Sequence, residues 1–220
     1  MIEKLSYILN RLRSIPRWWL LAALGAIVGF VVVWGGSQLV LQRLYPFPYR
    51  EEILAYSRKH GLDPRFVASI IKNESRFRPT AVSPRGAVGL MQIMPDTGRW
   101  AAEQLGFADF DVDMLRDPAT NILIGTWYLS ELRREFGGNF VLVVAAYNAG
   151  RGRVRAWLES DGFVLKENAA CGLAVWPGSV ITEDYPVSKL DLAETRNYVR
   201  RVTQTLKRYR QLYPEHSGGQ

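Results

Sequence analysis

An uncharged run near the amino terminus places the strongest constraint on this chain. Between Arg17 and Arg43 there is no charged residue for 25 positions, and most of these positions are apolar. At about 1.5 Å per helical residue, the run exceeds a hydrocarbon core of about 30 Å. A cleaved signal peptide has an apolar core of only about 7–15 residues. The run therefore predicts one transmembrane helix at residues 18–42.

The charges around this run predict its orientation. Four bases precede it, whereas the bases that follow it are balanced by Glu51 and Glu52. Positive charge is retained on the cytoplasmic side, so we expect residues 1–17 to be a cytoplasmic tail. Residues 43–49 then form a short linker, and the rest lies on the extracytoplasmic face of the cytoplasmic membrane. Cleavage near residues 35–37 stays open as an alternative.

Charge and reactive side chains exclude several function classes. Of 28 bases and 21 acids in the chain, residues 1–50 hold six bases and one acid, so the remainder is close to neutral and does not favour nucleic-acid binding. The single cysteine, Cys171, cannot form an internal disulfide. His60 and His216 lie far apart and lack the neighbours of a zinc site or a nucleophile's base. No metal or organic cofactor is implied, and carboxylates are the expected chemical groups.

The outer part of the chain has helical periodicity. Apolar residues recur at helical spacing from Tyr49 onward, which predicts an all-α domain over residues 50–212 with a tail at 213–220. Residues 160–190 have the least predictable structure. Helices are expected at about 50–60, 64–75, 95–105, 118–136, 140–148, 151–159 and 192–211.

The second of these helices carries an acid on its apolar side. Asp63 is a good N-cap, and Pro64 suits the first turn. Ile70 and Ile71 belong to the apolar stripe, and Glu74 follows them by four and three positions, so it projects from the same face. Glu74 is therefore predicted to be partly buried.

Burial has a chemical consequence for Glu74. Loss of water and the partial negative charge at the end of a helix both raise the pKa of a carboxyl group. A carboxyl that stays protonated near neutral pH can act as a general acid. The alternative is a surface ion pair with Lys72 or Arg76, and this helix alone does not decide between the two.

Further blocks along the chain favour the catalytic interpretation. They are Glu74-Ser75, Gly89-Leu90-Met91-Gln92, Ala146-Tyr147-Asn148-Ala149-Gly150, and Glu194-Thr195 with Tyr198-Val199. With these blocks in this order, residues 46–212 resemble the lytic transglycosylases that have the soluble-lytic-transglycosylase (SLT) catalytic domain, relatives of goose-type lysozyme. Members of that family usually place a Pro-Phe pair shortly before the Glu-Thr, where this chain has Asp191 and Leu192.

The resemblance implies a fold and a reaction. It implies a lysozyme-like α domain with a small β-turn or hairpin segment, acting on peptidoglycan glycan strands. The enzyme would cut the β-1,4 bond between N-acetylmuramic acid and N-acetylglucosamine and leave a 1,6-anhydromuramyl end. Glu74 would be the single general acid and base, and the 2-acetamido group of the substrate would replace the second carboxylate that most glycosidases use.

The resemblance also implies a set of substrate-binding residues. These are Ser75, Met91, Gln92, Tyr147, Asn148, Glu194 and Tyr198. The residues themselves allow other roles: Gln92 can cap the backbone, Met91 can fill the core, Ser75 can cap its helix or orient Glu74, and Glu194 can stabilise a helix start.

Two other functions remain as alternatives. A goose-type hydrolase would need a held water or a second carboxylate, for which the available residues are Asp96, Asp109, Asp111 and Asp113. A non-catalytic peptidoglycan-binding scaffold would keep the fold without cutting, although such a cleft gains nothing from a half-buried acid. Glycan strands and the membrane are the expected partners, and partners in the envelope machinery stay open.

Overall fold

A computed structural model of the chain describes residues 17–162 and 186–214. The chain divides into two compact units, of which the first ends at Pro46 and the second begins at the next residue. Most of the predicted cytoplasmic tail, Cys171 and His216 lie outside the described residues.

The first unit contains helix α1, Arg17–Leu44, which has 28 residues. It covers the uncharged run and ends shortly after Arg43. Among the residues that the structure describes, no helix has the length and apolar character needed to cross a membrane. The transmembrane helix expected at residues 18–42 is therefore not confirmed.

The second unit is built of helices. Its α-helices are α2 Arg50–Lys59, α3 Pro64–Glu74, α4 Pro95–Leu105, α5 Pro118–Glu135, α6 Phe140–Ala149, α7 Arg151–Asp161 and α8 Ala193–Leu212, with short 3₁₀ helices at Val112–Arg116 and Val187–Lys189. The described β-structure is limited to two antiparallel bridges, Val82 with Val88 and Val88 with Ile93. The all-α prediction is confirmed, and the predicted helices agree with the observed ones to within a residue or two.

Side-chain caps explain where three of the helices begin. Asp63, Asp117 and Asn139 precede α3, α5 and α6, and each accepts a hydrogen bond from a backbone amide in the first turn. Free amides at a helix start need such acceptors. Pro64 and Pro118 occupy the first helical position, where the missing amide hydrogen has no cost.

Helix α6 forms the centre of the core. Its residues from Phe140 to Ala146 are all buried, and it packs against α5, α7 and α8. A helix that is apolar on every side is stable only when other elements surround it. The last residues of α6, Tyr147 and Asn148, are only partly buried, so polar groups emerge where the helix leaves the core.

Helices α3 and α8 pack against each other in antiparallel directions. At one end, Arg210 Nη2 lies 3.1 Å from Asp63 Oδ2, and Arg65 Nε lies 2.8 Å from Asp63 Oδ1. Asp63 is only 1% exposed, so these guanidinium groups balance a carboxylate that water barely reaches. At the other end, Tyr198 of α8 reaches Glu74.

The turn segment between α3 and α4 is fixed to α5 by a buried asparagine. The Oδ1 of Asn121 accepts a hydrogen bond from the Met91 amide at 2.7 Å, and its Nδ2 donates to the carbonyls of Val88 and Leu115 at 3.0 and 2.8 Å. Gly89 has a φ of +82°, and a Cβ there would lie 2.2 Å from Asn121 Nδ2. Only glycine lets the turn approach this closely.

We expect Gly89→Ala to destabilise the protein more than Gly86→Ala. Both glycines have φ near +80°, but a Cβ at Gly86 would meet no atom within 4 Å. The control should cost about 1–2 kcal/mol for the left-handed backbone. Gly89→Ala should cost about 1–3 kcal/mol more, because Asn121 must shift. Urea unfolding measures both, and equal losses would contradict the close-packing argument.

Candidate active site

The acid at the end of α3 forms the centre of the site. Glu74 is the last residue of α3 and is half-buried, directly after the buried Ile70 and Ile71 turn. The hydroxyl of Tyr198 donates a hydrogen bond to Glu74 Oε1. The other oxygen, Oε2, has no hydrogen-bond partner among the described residues, so it is available to a bound molecule.

Three influences set the pKa of Glu74. Burial is the largest of them and raises the pKa, and together the three give a shift from 4.5 to about 7. The hydrogen bond from Tyr198 and the positive charge of Arg201 favour the carboxylate and lower the pKa, but they do not offset the loss of water. A substantial fraction of Glu74 therefore carries a proton at neutral pH.

Tyr198 remains a hydrogen-bond donor at all ordinary pH values. It is buried in α8, and burial together with the charges of Glu74 and Tyr147 raises its pKa well above 10. The guanidinium carbon of Arg201 lies 5.8 Å from the centre of its ring. The Tyr198 proton thus stays on its oxygen and is directed at Glu74.

Tyr147 lies next to this pair. Its hydroxyl donates to the carbonyl of Met91 at 2.6 Å, and its ring centre is 5.8 Å from that of Tyr128. Burial first and the charge of Glu74 second raise the pKa of Tyr147 well above 10. The hydroxyl connects the end of α6 to the turn segment, and its oxygen can still accept a hydrogen bond.

Two predicted site residues, Met91 and Gln92, form contacts within the protein. Met91 is fully buried and packs against Gly125, where a Cβ would lie 2.3 Å from the Met91 sulfur. Gln92 has a φ of +48°, and its Nε2 donates to the carbonyls of Ala81 and Gly89 at 3.1 and 2.9 Å. In the structure Met91 fills the core and Gln92 braces the turn, the alternatives that their residue types allow.

The remaining predicted residues occupy three different environments. Asn148 Oδ1 accepts a hydrogen bond from Thr195 at 3.0 Å, which joins the end of α6 to the start of α8. Ser75 is buried, and among the described residues its hydroxyl reaches only the Ile71 carbonyl, at 3.4 Å, at the end of α3. Glu194 is exposed in the first turn of α8 and forms no hydrogen bond or ion pair with the described residues.

Several residues of this region were given no individual role by the sequence analysis. Asn121 and Thr195 are buried polar residues. Asn121 binds the turn segment, and Thr195 binds Asn148 at the end of α6. Trp100 and Tyr128 are partly exposed aromatic residues on α4 and α5, with ring centres 6.3 Å apart. The sequence signal for Asn121 was an amide on an otherwise apolar helix face, and partial exposure of the two rings has no signal in the sequence.

No carboxylate among the described residues is a cause of the shift in the Glu74 pKa. Asp96, whose side chain is 99% exposed, pairs with Arg99, and Asp113 pairs with Arg116. Asp109 and Asp111 are also exposed, and only Arg201 and Tyr198 influence the Glu74 pKa besides burial. Within residues 17–162 and 186–214, no group of three His, Cys, Asp or Glu side chains is placed to hold a metal. The site can therefore donate and accept one proton through one carboxyl group.

Comparison with known proteins places this arrangement in a family. Residues 51–170 match the family described as Transglycosylase SLT domain. The soluble lytic murein transglycosylase of Salmonella typhimurium is 33% identical over 186 residues, which cover 84% of this chain and 25% of that protein. The membrane-bound lytic murein transglycosylase C of Edwardsiella ictaluri is 30% identical over 185 residues, covering 74% of this chain and 47% of that protein.

Solved structures show the same similarity. The 70-kDa soluble lytic transglycosylase of Escherichia coli superposes with a TM-score of 0.65 at 32% identity, covering 80% of this chain and 26% of that one. A complex of the 70-kDa soluble lytic transglycosylase with bulgecin A gives 0.66 at 31% identity, covering 90% and 29%. This chain spans about a quarter of the length of the soluble relatives that it matches.

We expect Glu74→Gln to stabilise the protein at neutral and alkaline pH. Because the native pKa is about 7 rather than 4.5, the native state binds more protons than the unfolded state between these values. The free energy of unfolding should fall as pH rises through this window, and Gln should remove the loss, a gain on the order of 1–3 kcal/mol above pH 7.

Chemical unfolding from pH 4 to 8 measures this gain. The control is Glu159→Gln, which removes a carboxylate from an exposed position of α7. The burial of Glu74 would be contradicted if the stability difference between Glu74→Gln and wild type did not change with pH. It would also be contradicted if Glu159→Gln gave the same pH-dependent difference.

Proposed function

This chain belongs to the Transglycosylase SLT domain family, and on that basis we propose that it is a peptidoglycan lytic transglycosylase. The proposed reaction cuts the β-1,4 bond between N-acetylmuramic acid and N-acetylglucosamine and leaves a 1,6-anhydromuramyl end. The observation that carries the proposal is a half-buried Glu74 whose pKa is near 7. The relatives named lytic murein transglycosylases support the substrate class.

The proposed chemistry uses Glu74 twice. Protonated Glu74 gives its hydrogen to the leaving glycosidic oxygen while the bond from the muramyl C1 to that oxygen breaks. The resulting carboxylate then takes the proton of the muramyl 6-hydroxyl as its oxygen bonds to C1, so no water is consumed. A pKa near 7 makes both forms of the acid accessible in the same pH range. The hydrogen bond from Tyr198 supports the carboxylate between the two steps.

The pKa of Glu74 is not influenced by any other carboxylate of the described residues, which supports this reaction over the common two-carboxylate route. Glycosidases that use a nucleophile or an activated water place two carboxyl groups about 5–9.5 Å apart. The positive charge at C1 would instead be stabilised by the 2-acetamido group of the substrate. A goose-type hydrolase, by contrast, must position a water.

We expect Glu74→Gln to abolish cutting. Loss of the proton donor should reduce the rate by about 10²–10⁴-fold, whereas Glu159→Gln should leave it unchanged. The wild-type rate should fall as pH rises above about 7, because Glu74 then loses its proton. Mass spectrometry of soluble products and turnover rates at several pH values measure both effects.

Each alternative has its own outcome in this experiment. Products that are heavier by one water and lack anhydro ends would indicate a hydrolase. Wild-type protein that binds strands without cutting them would indicate a scaffold. Unchanged activity in Glu74→Gln would contradict any catalytic role for the acid.

We further propose the membrane topology and domain layout. Residues 1–17 form a cytoplasmic tail, 18–42 a transmembrane helix, 43–49 a linker, 50–212 the catalytic domain and 213–220 a tail. The support is the uncharged run of 25 residues in the sequence and the family relatives that are named membrane-bound. The catalytic domain would then face the cell wall from the outer surface of the cytoplasmic membrane.

Fractionation of cells that produce the full chain tests this topology. We expect the protein to remain in the membrane fraction after washes with high salt and with alkaline carbonate, because an apolar span resists both. Release by salt alone would indicate electrostatic attachment. Recovery in the wash-soluble fraction under both conditions would contradict the transmembrane helix.

A further inference from the structure

A row of aromatic side chains extends from the acid to an arginine. The charge of Glu74 acts on Tyr147, whose ring centre is 5.8 Å from that of Tyr128. Tyr128 is 6.3 Å from Trp100, and the guanidinium carbon of Arg151 lies 5.3 Å from the Trp100 ring centre. The aromatic row therefore continues the candidate active site along α5 and α4 and ends at the start of α7.

Two contacts hold the guanidinium of Arg151 in place. Its Nε lies 2.9 Å from Glu135 Oε2, and its central carbon lies over the ring of Trp100. The other oxygen of Glu135, Oε1, lies 2.5 Å from Nε of Arg155. One carboxylate thus faces two guanidinium groups, which leaves an excess of one positive charge at this position.

The two terminal nitrogens of Arg151 can still donate hydrogen bonds. The side chain is 40% exposed, and no hydrogen bond or ion pair among the described residues involves its two terminal nitrogens. The Tyr128 hydroxyl also has no hydrogen-bond partner among the described residues, and the charge of Arg151 acts on it directly. A fixed guanidinium with two free nitrogens suits a carboxylate, which accepts a pair of parallel hydrogen bonds.

We propose that Arg151, together with Trp100 and Tyr128, binds a carboxylate carried by the glycan strand and makes the enzyme favour acidic strands. The inference rests on the proposed function, which supplies the substrate class. Bare strands carry a carboxylate on the lactyl group of muramic acid, and peptide-bearing strands carry carboxylates on the peptide. In either case Trp100 and Tyr128 offer apolar faces for the group that links the carboxylate to the sugar.

The test compares Arg151→Gln with Arg153→Gln in the full-length protein. Arg153 is an exposed arginine on the same helix and forms no contact with the aromatic row. Three substrates are used: peptide-bearing strands, peptide-free strands with free lactyl groups, and strands whose carboxylates have been converted to methyl esters. Steady-state kinetics give KM and kcat for each.

We expect Arg151→Gln to raise KM about ten-fold on the strand type whose carboxylate is bound, with kcat changed less than about two-fold. The strand type on which KM rises shows whether the bound carboxylate belongs to the lactyl group or to the peptide. Arg153→Gln should behave as wild type in every arm, and on esterified strands all three proteins should have the same KM. Arg151→Gln removes one of the two guanidinium partners of Glu135, so we expect a small fall in the unfolding temperature, and the kinetics are measured well below it.

Several results would overturn the inference. One is an unchanged KM of Arg151→Gln on both acidic substrates. Another is an equal rise in KM for Arg153→Gln, and a third is a rise in the KM of Arg151→Gln that persists on esterified strands. Binding of labelled strands by protein with Glu74→Gln, with and without Arg151→Gln, repeats the comparison without turnover. A wild-type protein that yields no anhydro ends would defeat the proposed function, whereas these binding arms would still decide the role of Arg151.

Discussion

The antiparallel packing of α3 on α8 is the constraint on which the site depends. Asp63 and Arg210 fix one end of the pair, and the hydrogen bond from Tyr198 to Glu74 occupies the other. Between them Asn73 donates to the Thr205 hydroxyl at 3.1 Å. A carboxylate as buried as Asp63 destabilises the protein unless it is paired. Sliding of one helix along the other would separate Asp63 from Arg210 and is therefore unfavourable. The alignment of the two helices that pairs Asp63 with Arg210 also brings the hydroxyl of Tyr198 to Glu74.

The same packing determines the chemistry of Glu74. A carboxyl group in open water would be ionised at neutral pH, and one buried without a partner would be held neutral far above it. Here burial raises the pKa, while Tyr198 and Arg201 limit the rise to a value of about 7. A proton that is both given and taken back requires this intermediate value. Tyr198 and Arg201 both belong to α8. The helix that packs against α3 thus also supplies the two groups that limit the rise in the Glu74 pKa.

Much of the surrounding site consists of residues that hold other residues. Asn121 fixes the turn segment to α5, and the hydroxyl of Tyr147 bonds to the carbonyl of Met91 in that segment. Gln92 closes the turn through two backbone carbonyls. Sequence motifs group such residues with those that meet a substrate, because both types are needed for the same site. The structure adds the contacts that these residues form within the protein, and it shows that Glu74 Oε2 has no hydrogen-bond partner among the described residues.

The helices and the side from which Glu74 projects could be predicted from the amino-acid order, because helix periodicity and caps such as Asp63 act over a few residues. The amino-acid order also indicated the burial of the acid, since that follows from one helix. The groups that oppose the effect of burial depend on how the helices pack, because Tyr198 lies 124 positions away from Glu74 in the chain. The tertiary structure likewise showed Met91 filling the core and Arg151 lying over Trp100, because these contacts depend on how separate helices pack. Local chemistry follows from neighbours in sequence, whereas the value of a pKa and the role of a side chain follow from neighbours in space.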